Sequence, residues 1–210
     1  MGNFFSQLGK LLYMGVGISD PGTIPRKVDL WKIATGEGWK VAHLSAFNLH
    51  HKGKEAVQLT ASGGDGVAIF EALQLPECKL DLSLAAINQQ IGIIVRATDE
   101  QLYDLVSVQV NAGAELGLQL RFGSQSAEVE LPAHLLGEWI GIRVVVAPQF
   151  TAVFVNGNNM PALKVPTDST AGKGELVGFW VGNGTNALVA ELKYVQSRKR
   201  EFELWFLMNL

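Results

Sequence analysis

The sequence is poor in cysteine, in excess basic charge and in long apolar runs. Its one cysteine, Cys78, excludes an internal disulfide and any zinc or iron–sulfur site built from several thiolates. The net charge of −3 lacks the basic excess of proteins that neutralise many phosphates, so we expect no nucleic-acid partner. No run approaches the roughly 20 apolar residues of a membrane-spanning helix. Because 48% of the residues are hydrophobic, the chain has enough apolar surface to form a packed core instead.

Apolar and polar residues alternate along much of the chain, as in half-buried strands. The alternation is clear over 78–84, 116–122 and 127–131. Glycine-rich turns interrupt it every eight to twelve residues or so, and about a dozen strands are too many for one open sheet of this length. We therefore predict an all-β fold, a two-sheet antiparallel jelly-roll sandwich, over residues 28–196.

The two ends depart from this pattern. Residues 1–27 contain apolar side chains at the spacing of one helical face, followed by a linker, and residues 197–210 form an apolar tail after a basic cluster. We predict short N- and C-terminal helical segments. The residues predicted to contact a partner are Phe4, Phe5, Leu8, Leu11, Leu12, Phe202, Trp205 and Phe206.

Four stretches of the middle region resemble the concanavalin A-like lectin and glucanase superfamily, which includes laminin G-like sandwich domains. They are 66–70 leading to Cys78, 92–96 followed by Tyr103, 139–146 with 152–157, and 178–182 before 187–195. The resemblance implies the sandwich fold. Members of the superfamily bind glycans, cleave or modify them, or serve as protein-interaction modules, so the resemblance alone does not select a function.

Signatures of a specific reaction are missing. Glucanases of this superfamily carry three acids as Glu-x-Asp-x-x-Glu, whereas Glu128 and Glu130 here supply only two. We therefore expect a non-catalytic protein, assign no catalytic residue, and keep a carbohydrate-active hydrolase as a third hypothesis. His50 and His51 would point to opposite faces of a strand, so we predict no metal site, and we expect no cofactor.

One predicted strand has a face suited to a glycan. Tyr103, Ser107 and Gln109 alternate with valines, and Arg96 lies just upstream. Sugar C–H groups pack on aromatic rings, and sugar hydroxyls need directional hydrogen bonds. We therefore predict Arg96, Tyr103 and Gln109 as ligand-binding residues. The alternative is a structural hydrogen-bond network on an exposed sheet face.

Two hypotheses lead from these features. The first is an interaction or assembly subunit that docks through its apolar ends onto a larger protein complex, such as one at a membrane surface. The second is a lectin-like module that binds carbohydrate. Because the chain has neither a secretory signal nor a transmembrane segment, we expect a cytoplasmic or peripheral membrane location.

Overall fold

The described part of the chain forms two antiparallel β-sheets that pack face to face. The computed structural model describes residues 25–85, 87–111, 115–122, 125–166 and 174–196. The strands are β1 (Arg26–Lys27), β2 (Trp39–Ala42), β3 (Leu44–His51), β4 (Lys54–Ala61), β5 (Gly66–Phe70), β6 (Cys78–Ala85), β7 (Gln90–Ala97), β8 (Asp104–Val110), β9 (Leu116–Phe122), β10 (Gln125–Leu131), β11 (Ile140–Val146), β12 (Phe150–Val155), β13 (Leu163–Pro166), β14 (Leu176–Val181) and β15 (Asn186–Gln196). Two short 3-10 helices, Leu30–Ile33 and Ala133–Leu135, complete the regular structure of these residues.

Both sheets combine strands that are far apart in the sequence. The eight-stranded sheet has the order β13-β12-β11-β6-β15-β4-β3, with β1 paired to β15. The seven-stranded sheet has the order β10-β9-β8-β7-β14-β5-β2. Residues within each strand alternate between the core and an outer face, so each sheet also presents a surface away from the core.

The core lies between the two sheets. In β6, Leu80, Leu82 and Leu84 point into it and are at most 4% exposed, as the alternation predicts. Aromatic rings add to it on the side of the seven-stranded sheet, where Trp39 stacks on Phe179 at 6.0 Å between ring centroids. The all-β prediction and the two antiparallel sheets are confirmed.

The predicted terminal helices are not part of this description. All eight residues expected to contact a partner, from Phe4 to Phe206, lie outside the described residues. The eight-stranded sheet extends slightly into the segment expected to be a linker, because Arg26 and Lys27 pair with β15. Among the described residues, no helix has the length and hydrophobicity needed to span a bilayer.

The position of Cys78 gives a direct test of the core. Burial raises the pKa of its thiol to about 12, and nearby Arg96 offsets only part of this effect. We expect native protein to resist modification by DTNB at pH 8, because almost no thiolate forms there. Unfolding in guanidinium should release one reactive thiol per chain, the number in the sequence. Reaction of the native protein at the rate of a free thiol would contradict this placement.

Candidate functional site

The outer face of the seven-stranded sheet carries a line of polar side chains. In β8, Val106 and Val108 point into the core, so Ser107 and Gln109 point outward. The strand register places outward polar residues of β7, β9 and β10 beside them. We call the resulting set the polar row: Gln90, Ser107, Gln109, Gln119 and Glu128.

Hydrogen bonds connect the polar row across the sheet. Gln90 Nε2 donates to Ser107 Oγ at 3.1 Å and to Gln109 Oε1 at 3.3 Å. Gln109 Nε2 in turn donates to Glu128 Oε1 at 2.8 Å. Gln90 and Gln109 are half-buried and Glu128 is exposed, so the row borders solvent. The bonds fix the directions of the side chains. Residues of the row on neighbouring strands lie about 4.8 Å apart, and Gln109 and Glu128 are two strands apart.

A glycine makes the hydrogen bond between Gln109 and Glu128 possible, which crosses the whole of β9. Gly117 of β9 pairs with Gln109 of β8 and with Glu130 of β10, and the side chain of Glu128 reaches Gln109 diagonally across it. A Cβ atom at position 117 would lie 2.9 Å from Glu128 Oε1 and 3.3 Å from Gln109 Cγ. The absence of a side chain at this position therefore leaves the space in which the two side chains meet.

One aromatic residue, Trp180, lies next to the polar row. Trp180 belongs to an apolar cluster on the same outer face, together with Leu105 and the half-buried Tyr103. A Cβ atom at Gly182 would lie 3.3 Å from Trp180 Cη2 and 3.6 Å from Gln90 Cβ, so the indole borders the first residue of the row. Trp180 is only 7% exposed, so only a small part of its ring reaches solvent.

Tyr103 is placed by a structured loop between β7 and β8. Asp99 Oδ1 accepts hydrogen bonds from the amides of Gln101 and Leu102, each at 2.8 Å, and these bonds lower the pKa of Asp99. Glu100 forms an ion pair with Lys40 at 2.5 Å, and this pair connects the loop to β2, an edge strand of the same sheet. Burial raises the pKa of Tyr103 itself.

Arg96 lies on the other side of the sheet from Gln109. Along β14 one residue faces two residues of β7, Val95 and Arg96, and this β-bulge gives Arg96 a φ of 53°. Its Nη1 atom is 3.4 Å from Asp104 Oδ2, and its Nη2 atom donates to the carbonyl oxygen of Ala147 at 2.5 Å. The guanidinium therefore connects the two sheets from inside the sandwich.

Asp104 and Arg96 form a pair that is removed from solvent. Their side chains are 2% and 7% exposed. Burial raises the pKa of Asp104, and Arg96 offsets part of that rise, whereas burial lowers the pKa of Arg96. Asp104 Oδ1 accepts no hydrogen bond from the described residues, so the carboxylate depends on Arg96.

The structure brings together only part of the predicted ligand set. Tyr103 and Gln109 share the outer face but sit toward opposite ends of β8, and Arg96 is inside. Sequence reasoning missed Gln90, Gln119 and the contact of Glu128 with Gln109. Alternation within each strand marks these residues as outward-facing, but it does not show that they are neighbours. That requires the strand order β7-β8-β9-β10.

Glu128 and Glu130, the acids considered for a hydrolase, do not form one cluster with another acid, Asp81. Glu128 and Glu130 are exposed on β10, at the edge of the seven-stranded sheet. Asp81 lies on the other sheet, 2.6 Å from Arg143 Nε and 3.6 Å from Lys79 Nζ. Within the described ranges, no group of three or more His, Cys, Asp or Glu side chains has a metal-binding arrangement.

The fold is similar to several solved structures. One is the carbohydrate-binding module CBM66 from Bacillus subtilis, with 10% identity, a TM-score of 0.56, and coverage of 75% of this chain and 95% of that chain. A glycosidic hydrolase matches with 12% identity, a TM-score of 0.54, and coverage of 84% of this chain and 97% of that chain. A Bacillus subtilis protein of unknown function with a galectin-like fold has 11% identity, a TM-score of 0.54, and coverage of 82% and 98%. Neither a protein-family model nor a curated protein matches the sequence.

These comparisons correct the leading hypothesis from the sequence. The similar structures are a carbohydrate-binding module, a glycosidic hydrolase and a galectin-like protein, which favours carbohydrate binding over a docking subunit. The subunit hypothesis was wrong because it relied on apolar terminal residues, and composition at the ends says nothing about the sheet surfaces. At these identities the similarity shows the fold, a two-sheet antiparallel sandwich, and no more.

Replacing Arg96 tests the interior pair. Arg96→Met leaves the Asp104 carboxylate buried without its cation, so we expect a loss of about 3–5 kcal/mol in the free energy of unfolding at pH 7. The loss should shrink toward pH 4, because an acid whose folded-state pKa is raised destabilises the protein only as pH rises and it ionises. Urea unfolding measures both effects.

The double variant Arg96→Met/Asp104→Leu serves as the control for this experiment. It removes both charges, and we expect it to regain most of the lost stability. A single variant within about 0.5 kcal/mol of the wild type would contradict a structural role for the pair.

Proposed function

We propose that this domain binds a glycan through the polar row on the outer face of its seven-stranded sheet. The observation that carries the proposal is the hydrogen-bonded line from Gln90 through Gln109 to Glu128, which lies next to Trp180. Support also comes from the fold, which is similar to that of a carbohydrate-binding module. The proposal replaces the docking function and keeps Tyr103 and Gln109 as ligand residues.

The chemistry of the polar row suits sugar hydroxyls. A hydroxyl both donates and accepts, and glutamine amides offer both functions while the Glu128 carboxylate accepts. The half-buried Tyr103 supplies apolar surface for C–H groups of a sugar ring, and Trp180 adds the small part of its ring that is exposed. Each hydrogen bond contributes only about 0.5–1.5 kcal/mol, so the row as a whole gives a modest affinity per sugar and favours ligands that contact several strands.

Arg96 has an indirect part in this proposal. Its bond to Asp104, the first residue of β8, holds the end of that strand next to Tyr103. Arg96 therefore positions Tyr103 relative to the polar row, and we assign it no contact with the glycan.

Alanine variants of the row test the proposal. A glycan array with the wild-type protein identifies a ligand, and titration then measures affinities of Gln90→Ala and Gln109→Ala. We expect each to bind about tenfold more weakly, because each loses a directed polar contact and leaves its neighbour unpaired. The matched control is Gln58→Ala, since Gln58 is also a half-buried glutamine but lies on the eight-stranded sheet. Absence of any glycan ligand, or an equal loss in the control, would overturn the proposal.

Gly117→Ala tests the geometry of the row without removing any polar group. The new methyl group would displace the Glu128 carboxylate from Gln109, because the carboxylate is the flexible partner in a 2.9 Å contact. We expect glycan affinity to fall by about fivefold with little change in the melting temperature. Gly141→Ala is the control, since a Cβ there meets nothing closer than 3.5 Å. Unchanged affinity in Gly117→Ala would show that the Gln109–Glu128 bond is not part of the site.

A further inference from the structure

A cavity opens on the other side of the sandwich, where the pairing of β15 changes. β15 pairs with β4 from Asn186 to Val189 and with β1 at Lys193 and Tyr194. Between these two segments, the register of β15 against β6 shifts, and Glu191 has a φ of 61°. The pairing of β15 with β4 ends at Val189, and its pairing with β1 involves only Lys193 and Tyr194. A gap therefore lies between β4 and β1.

Apolar and charged residues together line this gap, which we call the Trp31 cavity. Val28 and Leu30 contribute from the segment after β1, and Ala56 and Val57 contribute from β4. All four are at most 6% exposed. The cavity has a volume of about 250 Å³. Pockets for drug-sized ligands occupy about 300–1,000 Å³, so this one suits a smaller molecule.

An exposed indole lines the same cavity. Trp31 is 42% exposed, although large aromatic side chains are mostly buried in folded domains. Asp29 Oδ1 accepts a hydrogen bond from the Trp31 amide at 3.1 Å, which fixes the backbone on which the ring is carried. The ring makes no aromatic or cation–π contact with another described residue. Part of the indole is therefore open to solvent at the cavity.

The charges around the cavity are mostly negative. Asp29, Glu55 and Glu191 line it together with one cation, Lys27. Lys54 holds Glu191 Oε2 at 3.1 Å, but Glu55 makes no hydrogen bond or ion pair with the described residues. A carboxylate beside an exposed indole is a combination that attracts cations, through charge-assisted hydrogen bonds and through the π face.

We propose that the Trp31 cavity binds a small organic cation, a protonated amine or a quaternary ammonium compound. The cation lies against the face of Trp31 and near Glu55, and the apolar part of the ligand covers the apolar residues of the lining. This site is separate from the polar row, because the two lie on different sheets of the sandwich. The inference goes beyond glycan binding and does not depend on it.

Titrations of the full chain with choline and ethanolamine test the inference, with 3,3-dimethylbutanol as the uncharged analogue of choline. We expect at least one of the two cations to bind, and the uncharged analogue to bind at least about tenfold more weakly than choline if choline binds. Binding should weaken with added salt, because Glu55 is exposed. Failure of both cations to bind, or equal binding of choline and its uncharged analogue, would overturn the inference.

Variants locate the binding. Glu55→Gln and Trp31→Ala should each weaken cation binding by about fivefold or more. Glu71→Gln, which changes an exposed carboxylate outside the cavity, should bind as the wild type does. Gln109→Ala should also keep cation binding, so failure here and failure of the glycan proposal are separate results. Unchanged binding in Glu55→Gln, whose exposed position leaves folding intact, would contradict the assigned site.

Discussion

Each strand of the seven-stranded sheet presents alternate residues to the core and to the outer face, and the proposed glycan site depends on that two-residue period. Val106 and Val108 secure β8 to the core, and the same phase directs Ser107 and Gln109 outward. A slip of one residue in the pairing would bury the amides and expose the valines. Core burial therefore also fixes the register of the polar row.

Departures from this regular period give the domain its distinctive sites. The bulge in β7 turns Arg96 inward, where it pairs with Asp104 between the sheets. The irregularity in β15 separates β1 from β4 and opens the Trp31 cavity. At both positions a residue other than glycine has a positive φ: Arg96 in β7 and Glu191 in β15. This backbone conformation costs free energy, so it persists only where surrounding contacts stabilise it.

The sequence predicts the sheets better than the site, for a physical reason. Alternation in β6 reports burial of Leu80 and Leu82 directly, because burial is a property of one strand at a time. The polar row depends on which strands are neighbours, and the contact between Gln109 and Glu128 spans β8 to β10 across Gly117. Arg96 was placed on the wrong face because a bulge shifts the phase without leaving a mark in the hydrophobic pattern.

The central claim is that the polar row contacts a glycan. The most direct measurement is the NMR response of glutamine side-chain amides to a glycan selected on the array, with each signal assigned by single substitution. The account predicts that the amides of Gln90 and Gln109 shift as the glycan is added and that the amide of Gln58, on the other sheet, does not. Shifts confined to Gln58 and its sheet, with Gln90 and Gln109 unchanged, would contradict it.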